Sequence, residues 1–83
     1  MKIETKKSEY SIRVRSPKKF DKRSIRTKVT KKKGLNIIVG CPKGKYDASK
    51  EKCKVGMKPQ AFRFKKKRFD KDDVRAFGKR HRL

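Results

Sequence analysis

The chain has no tryptophan, two cysteines, two side-chain amides (Asn36 and Gln60), and eight acidic residues against 30 lysines and arginines. Each scarcity removes an option. Two cysteines and the single His81 supply at most three of the four ligands a structural zinc site takes, and no Cys-x-x-Cys pair is present. No run of 18 apolar residues occurs and no apolar stretch lies near the start, so neither a membrane span nor a secretory signal is expected. The opening Met-Lys-Ile-Glu lacks the N-myristoylation pattern. An intracellular protein is the expectation. The shortage of amides beside abundant lysine is the bias of proteins that avoid thermolabile residues, which leaves a thermophilic source open.

What is present is positive charge. A net charge of +22 on 83 residues, 46% of them charged and 31% hydrophobic, leaves room for one thin core and no second domain. Self-repulsion on this scale opposes compaction, so a polyanion is the expected partner. Membrane binding would call for a basic helix with a wide apolar face, which the sequence does not offer. Nucleic acid remains.

Residues 1–8 are polar and basic without periodicity and read as an arm, either flexible or ordered on a partner. From Glu9 to Arg15 the residues alternate, with Tyr10, Ile12 and Val14 on one side, as in a half-buried strand. Ser16-Pro17 then reads as a cap and first position of a helical turn, pinned by Phe20. A second alternation puts Ile25, Thr27 and Val29 opposite Ser24, Arg26 and Lys28, and ends at the Lys31-Lys32-Lys33-Gly34 turn. Leu35–Val39 is a continuous apolar run suited to a central strand covered on both faces. Residues 40–59 read as a long basic loop or irregular hairpin anchored by Tyr46, Val55 and Met57. Gln60–Phe64 is the last strand, with Phe62 and Phe64 on one face. Over 69–82 Asp70 is the N-cap, Asp73 sits three residues later in a capping-box position, and Phe69 and Val74 form a staple, so a helix follows that packs through Val74 and Phe77.

The fold predicted is a single α+β domain: a small antiparallel sheet of three to four strands within 9–64, one C-terminal helix packed on it, a basic arm and a long basic loop. Cys41 and Cys53 flank an eleven-residue segment, for which two unpaired thiols are the default and a disulfide the alternative. The acidic group Asp70, Asp72 and Asp73 has the composition of a two-metal nuclease site but the position of a helix cap, where carboxylates interact favourably with the helix dipole. Gly40-Cys41-Pro42-Lys43-Gly44-Lys45 lacks the P-loop spacing. No catalytic residue, metal or cofactor is expected.

Charge spread over nearly every element suits a protein that neutralises several strands of a folded RNA, whereas a DNA reader gathers charge on one face. No RNP1 pattern, KH loop, helix-turn-helix or heptad repeat is present, so sequence-specific readout is not indicated. The candidate phosphate contacts are Arg13, Arg15, Arg26, Lys32, Arg63, Lys66, Arg68 and Arg80, with arginine favoured for its bidentate fork. In size and charge the chain resembles small basic ribosomal proteins of archaeal or bacterial subunits. That resemblance implies a cytoplasmic, ribosome-bound component with rRNA and neighbouring ribosomal proteins as partners. A second resemblance, carried by Ser24-Ile25-Arg26-Thr27-Lys28, Gly34-Leu35 through Val39-Gly40, Gln60-Ala61-Phe62-Arg63-Phe64 and the helix ending at His81, is to a small strand-strand-strand-helix domain of phage and archaeal mobile-element proteins. The alternative it carries is a DNA-compacting or virion protein.

Overall fold

The computed structural model describes residues 2–83. The described residues form seven strands, β1 (Ile3–Thr5), β2 (Glu9–Arg13), β3 (Arg26–Val29), β4 (Leu35–Gly40), β5 (Tyr46–Asp47), β6 (Lys52–Cys53) and β7 (Lys58–Lys65), followed by the helix α1 (Lys71–Arg80). Five strands make one antiparallel sheet in the order β1-β2-β7-β4-β3, and β5 and β6 pair separately. The α+β class with a C-terminal helix on an antiparallel sheet is as expected from the pattern, but the sheet has one strand more than expected.

The extra strand is the N-terminal arm. Ile3 pairs with Ile12 and Thr5 with Tyr10, so residues expected to be an arm close one edge of the sheet. Three β-compatible residues before a Lys6-Lys7-Ser8 turn were too short to show a period. As expected, β4 is an interior strand, paired with β3 and β7, and the middle of the sheet is β7, because the long connection after β4 returns the chain between β2 and β4. Pro59 is tolerated in β7 because it lies at a register shift. There Ile38 pairs with Ala61 and Val39 with Pro59, so Gln60 is the extra residue of a bulge.

Alternation about this register sends Tyr10, Ile12, Leu35, Phe62 and Phe64 to the face that α1 covers. Ile12, Leu35, Phe64 and Val74 form the buried cluster, with Ile3, Tyr10, Phe62, Phe69, Phe77 and Leu83 packed around it. The helix begins as its sequence dictates: Asp70 Oδ1 accepts from the Asp73 amide at 2.8 Å and Asp73 Oδ2 accepts from the Asp70 amide at 3.0 Å. Two of the three clustered aspartates are thereby held in a capping box, and Asp72 pairs with Arg75 at 3.2 Å.

The opposite face is covered only at one end. Ser16 and Pro17 start a 3-10 turn over Pro17–Lys19, and Phe20 is buried against Gly40, where a Cβ would lie 2.9 Å from Phe20 Cδ1. Asp21 then caps a second 3-10 turn over Lys22–Ser24. The Arg23 guanidinium and amide hold the Asp21 carboxyl below its ordinary range, so the cap stays ionised to lower pH than a free aspartate would. Ser24 Oγ donates to the Asp21 carbonyl and accepts from the buried Cys41 amide at 2.7 Å. These bonds take Ser24 and Ile25 out of the alternation read between Ser24 and Val29. The strand starts at Arg26, all four of its residues are exposed, and Val29 is 78% exposed, because β3 is an edge with nothing packed on it.

Cys41 and Cys53 form a disulfide with a Cα separation of 5.7 Å, which corrects the expectation of unpaired thiols. The segment between them is a small hairpin closed by Asp47, whose Oδ1 accepts from Ser49 N and Ser49 Oγ. Val55 and Met57 are exposed and anchor nothing, while Tyr46 is half-buried. Because the hairpin lacks a core of its own, the crosslink sets its position. Closing a loop of this length removes about 3 kcal/mol of unfolded-state entropy. Unfolding in denaturant with and without a reductant is expected to show a stability loss of that order on reduction, matched by Cys53→Ala; an unchanged midpoint would mean that the hairpin holds without the bond.

Candidate nucleic-acid interface

Because β7 is central, the residues that follow it emerge between two other turns at the same end of the sheet. Lys65 N donates to the Gly34 carbonyl at 2.8 Å, and Lys66 N donates to the Ser8 carbonyl at 3.1 Å. The Lys65–Arg68 run is thus flanked by Lys6 and Lys7 of the β1–β2 turn on one side and by Lys31–Lys33 of the β3–β4 turn on the other. Glu9 is the carboxylate that lines this rim beside Lys65–Lys67. Two concavities lie along it, one lined by Lys7, Ser8, Glu9 and Lys65–Lys67, the other by Val29, Thr30, Lys32, Lys33, Gly34, Asn36, Lys65, Lys67 and Arg68.

The rim is built, not merely crowded. Thr30 Oγ1 donates to the Leu35 carbonyl at 2.7 Å and accepts from the Lys32 amide, which folds the lysine turn. Lys66 Nζ lies 5.1 Å from the Tyr10 ring centroid and Lys32 Nζ 5.5 Å from that of Phe69. Gly34 adopts φ +85°, and a Cβ there would stand 2.8 Å from Arg68 Cβ and Cγ. Its hydrogen atom is what lets the Arg68 stem lie against the lysine turn. Gly34→Ala is expected to cost about 1–2 kcal/mol for the left-handed backbone alone, plus the displacement of Arg68. Gly44 has φ +80° with nothing within 4 Å of its would-be Cβ, so Gly44→Ala carries only the first cost. Thermal unfolding of the two variants should therefore show the larger loss at Gly34; equal losses would refute the close approach.

Of the candidate contacts, the structure brings Lys32, Lys66 and Arg68 together on this rim, and Arg80 joins Lys32 and Arg68 around a cleft beside α1. The others lie elsewhere. Arg63 sits in the middle of the helix-free face, opposite Ser11 and Asn36 in register, half-buried, and its Nε has no hydrogen-bond partner among the described residues. Arg13 and Arg15 line a hollow with Lys2 and Glu4 on the same face. Arg13 pairs with Glu4 at 3.3 Å, and Arg15 donates to the Pro59 carbonyl at 2.8 Å. Arg26 stands on the exposed β3 edge. All eight are exposed except Arg63.

Lys6, Lys7, Lys65 and Lys67 belong to the rim and were not among the candidates. The Lys65–Arg68 run was visible as a charge run, but its convergence with the first turn depended on an N-terminal strand that the sequence hid. Phe62 and Phe64, which point to the helix, are not open stacking platforms. Phe64 is fully buried, and Phe62 faces the Phe77 ring at 5.2 Å.

Among the described residues only three ion pairs form, Arg13–Glu4, Arg23–Asp21 and Arg75–Asp72, so the acids neutralise little of the charge. No group of three His, Cys, Asp or Glu able to hold a metal occurs among them, and the disulfide removes both sulfurs from thiolate ligation. No helix of the described residues is long and apolar enough to cross a membrane. No protein-family model, no curated protein and no solved structure matches the chain.

Proposed function

We propose that the protein is a structural, non-enzymatic RNA-binding protein that holds neighbouring segments of a folded RNA together through phosphate contacts, as a component of a ribosomal subunit in the cytoplasm. The observation that carries this reading is the arrangement of cations, most of them without an acidic partner among the described residues. They form a convergent rim at one end of the sheet, with Arg63, Arg13 and Arg15 on the helix-free face and Arg26 on the far edge. A body of 40 × 22 × 22 Å with cations on several sides matches phosphates that approach from several strands. A single duplex would meet one side and leave the others unneutralised. The clustered carboxylates are occupied as a helix cap, which favours a binding role over a hydrolytic one.

Co-sedimentation with salt-washed ribosomal subunits tests the assignment. The expected result is retention on one subunit after a wash that strips loosely bound proteins. Release at modest salt, together with uniform protection of duplex DNA, would replace it with DNA compaction or a virion role.

A further inference from the structure

Beside the rim, α1 and the β3–β4 turn enclose a cleft of about 290 Å³. Its apolar wall is made by Phe69 and Phe77, both half-buried, and its lip carries Lys32, Arg68 and Arg80 with Asp73 as the one acid. The rings are fixed from behind. Phe69 and Phe77 meet the buried Phe64 edge-on, with centroids 5.3 and 5.1 Å away. Lys32 Nζ at 5.5 Å from the Phe69 centroid shows that this ring is accessible from the cleft. Asp73 Oδ2 accepts from the Asp70 amide, and among the described residues no hydrogen bond is made to its Oδ1.

An apolar wall under three cations selects a ligand that is aromatic at one end and anionic at the other; Phe69 supplies the open ring, because Phe77 is already flanked by His81, with centroids 4.2 Å apart. Phosphate alone would leave the rings unused, and a continuous duplex keeps its bases stacked inside. An unstacked nucleotide presents both parts, and the volume is close to the lower limit of small-ligand sites, roughly 300 Å³. We propose that this cleft takes one unpaired, unstacked nucleotide of the bound RNA, with its base on Phe69, beside Phe77, and its phosphate on Lys32, Arg68 and Arg80. Asp73 Oδ1 is placed to accept from an exocyclic amino group of the base. Lys32 yields the ring face to the base and turns to the phosphate. The assignment rests on the RNA-binding reading and adds to it a preference for bulged or looped RNA over perfect duplex, without full sequence readout.

The test uses the whole oxidised chain and three RNA hairpins that differ at one point: fully paired, with a single bulged adenosine, and with an abasic residue at the bulge. Filter binding or calorimetry at about 150 mM salt should find the adenosine bulge bound about tenfold more tightly than the abasic bulge, the gain of stacking one base on an aromatic side chain. Phe69→Leu, which keeps an apolar side chain for the helix staple, should bring those two hairpins within about twofold of each other. Should that variant fold poorly, ring-proton shifts of Phe69 and Phe77 in the wild type decide: they should move with the adenosine bulge and stay put with the abasic one. Equal affinity for the two bulges, or unmoved ring signals, overturns the cleft assignment while tight RNA binding stands. Duplex DNA bound as well as every hairpin would instead overturn the RNA reading itself.

Discussion

Raising monovalent salt from about 50 to about 200 mM is expected to weaken binding to a folded RNA by roughly 10³-fold, the loss that accompanies counterion release from about six neutralised phosphates. The rim is where most of that dependence should reside. Lys32, Lys66 and Arg68 are exposed, have no carboxylate partner among the ion pairs and stand on two adjoining chain segments, the β3–β4 turn and the run that follows β7. Replacing all three by glutamine should flatten the log–log salt slope by about three units, one per lost phosphate, and lower affinity most at low salt. Arg13→Gln should do less, because its guanidinium already faces Glu4 at 3.3 Å. The slopes are read from binding isotherms at four or five salt concentrations, with circular dichroism confirming that the triple variant keeps its fold. A triple variant whose affinity falls while its slope stays constant would place the phosphate contacts elsewhere and make the rim a solvated charge run.

What could be read from the residues follows a physical division between local and long-range information. The capping box of Asp70 and Asp73, the Phe69–Val74 staple, the Ser16-Pro17 turn and the Phe62/Phe64 alternation are each set by neighbours within a few positions, and each is present as expected. The central place of β7 depends on pairing with β2 and β4, residues far away in sequence, and a bulge at Gln60 is needed to seat Pro59. Nothing local signals that. Arg68 meets Gly34 for the same reason, so the rim could be anticipated as a set of charge runs but not as a place. Val29 misled because a β-branched residue in an alternating strand looks the same at an edge as at a centre. The disulfide was hidden because two cysteines at this spacing are equally compatible with free thiols; only the return of the chain beside β4 brings Cys53 to Cys41.

Phe64→Ala is expected to cost about 4 kcal/mol, within the range for deleting a large buried aromatic side chain, and to leave the chain largely unfolded at low salt. Phe64 is fully buried at the centre of the core cluster, pairs in register with Tyr10 and Leu35, and meets both Phe69 and Phe77 edge-on. Its removal therefore opens a cavity that sheet and helix would both have to fill, and the two aromatic contacts to Phe69 and Phe77 are lost together with the apolar burial. A domain of this size holds roughly 4–12 kcal/mol in total, and a net charge of +22 pushes this one toward the lower end by self-repulsion. The loss is thus comparable to the whole stability. Because the repulsion is screened by salt and removed by a polyanion, the variant should regain helix and sheet signal on addition of sulfate or RNA, with a midpoint that rises with anion concentration. Val29→Ala is the matched control: the residue is 78% exposed, and its loss should shift the midpoint little. Thermal melts of both variants across a sulfate series separate the two contributions. If Phe64→Ala unfolds equally at every sulfate concentration, charge repulsion is not what sets the margin of this fold; if it melts like Val29→Ala, the cluster around Phe64 is not its core.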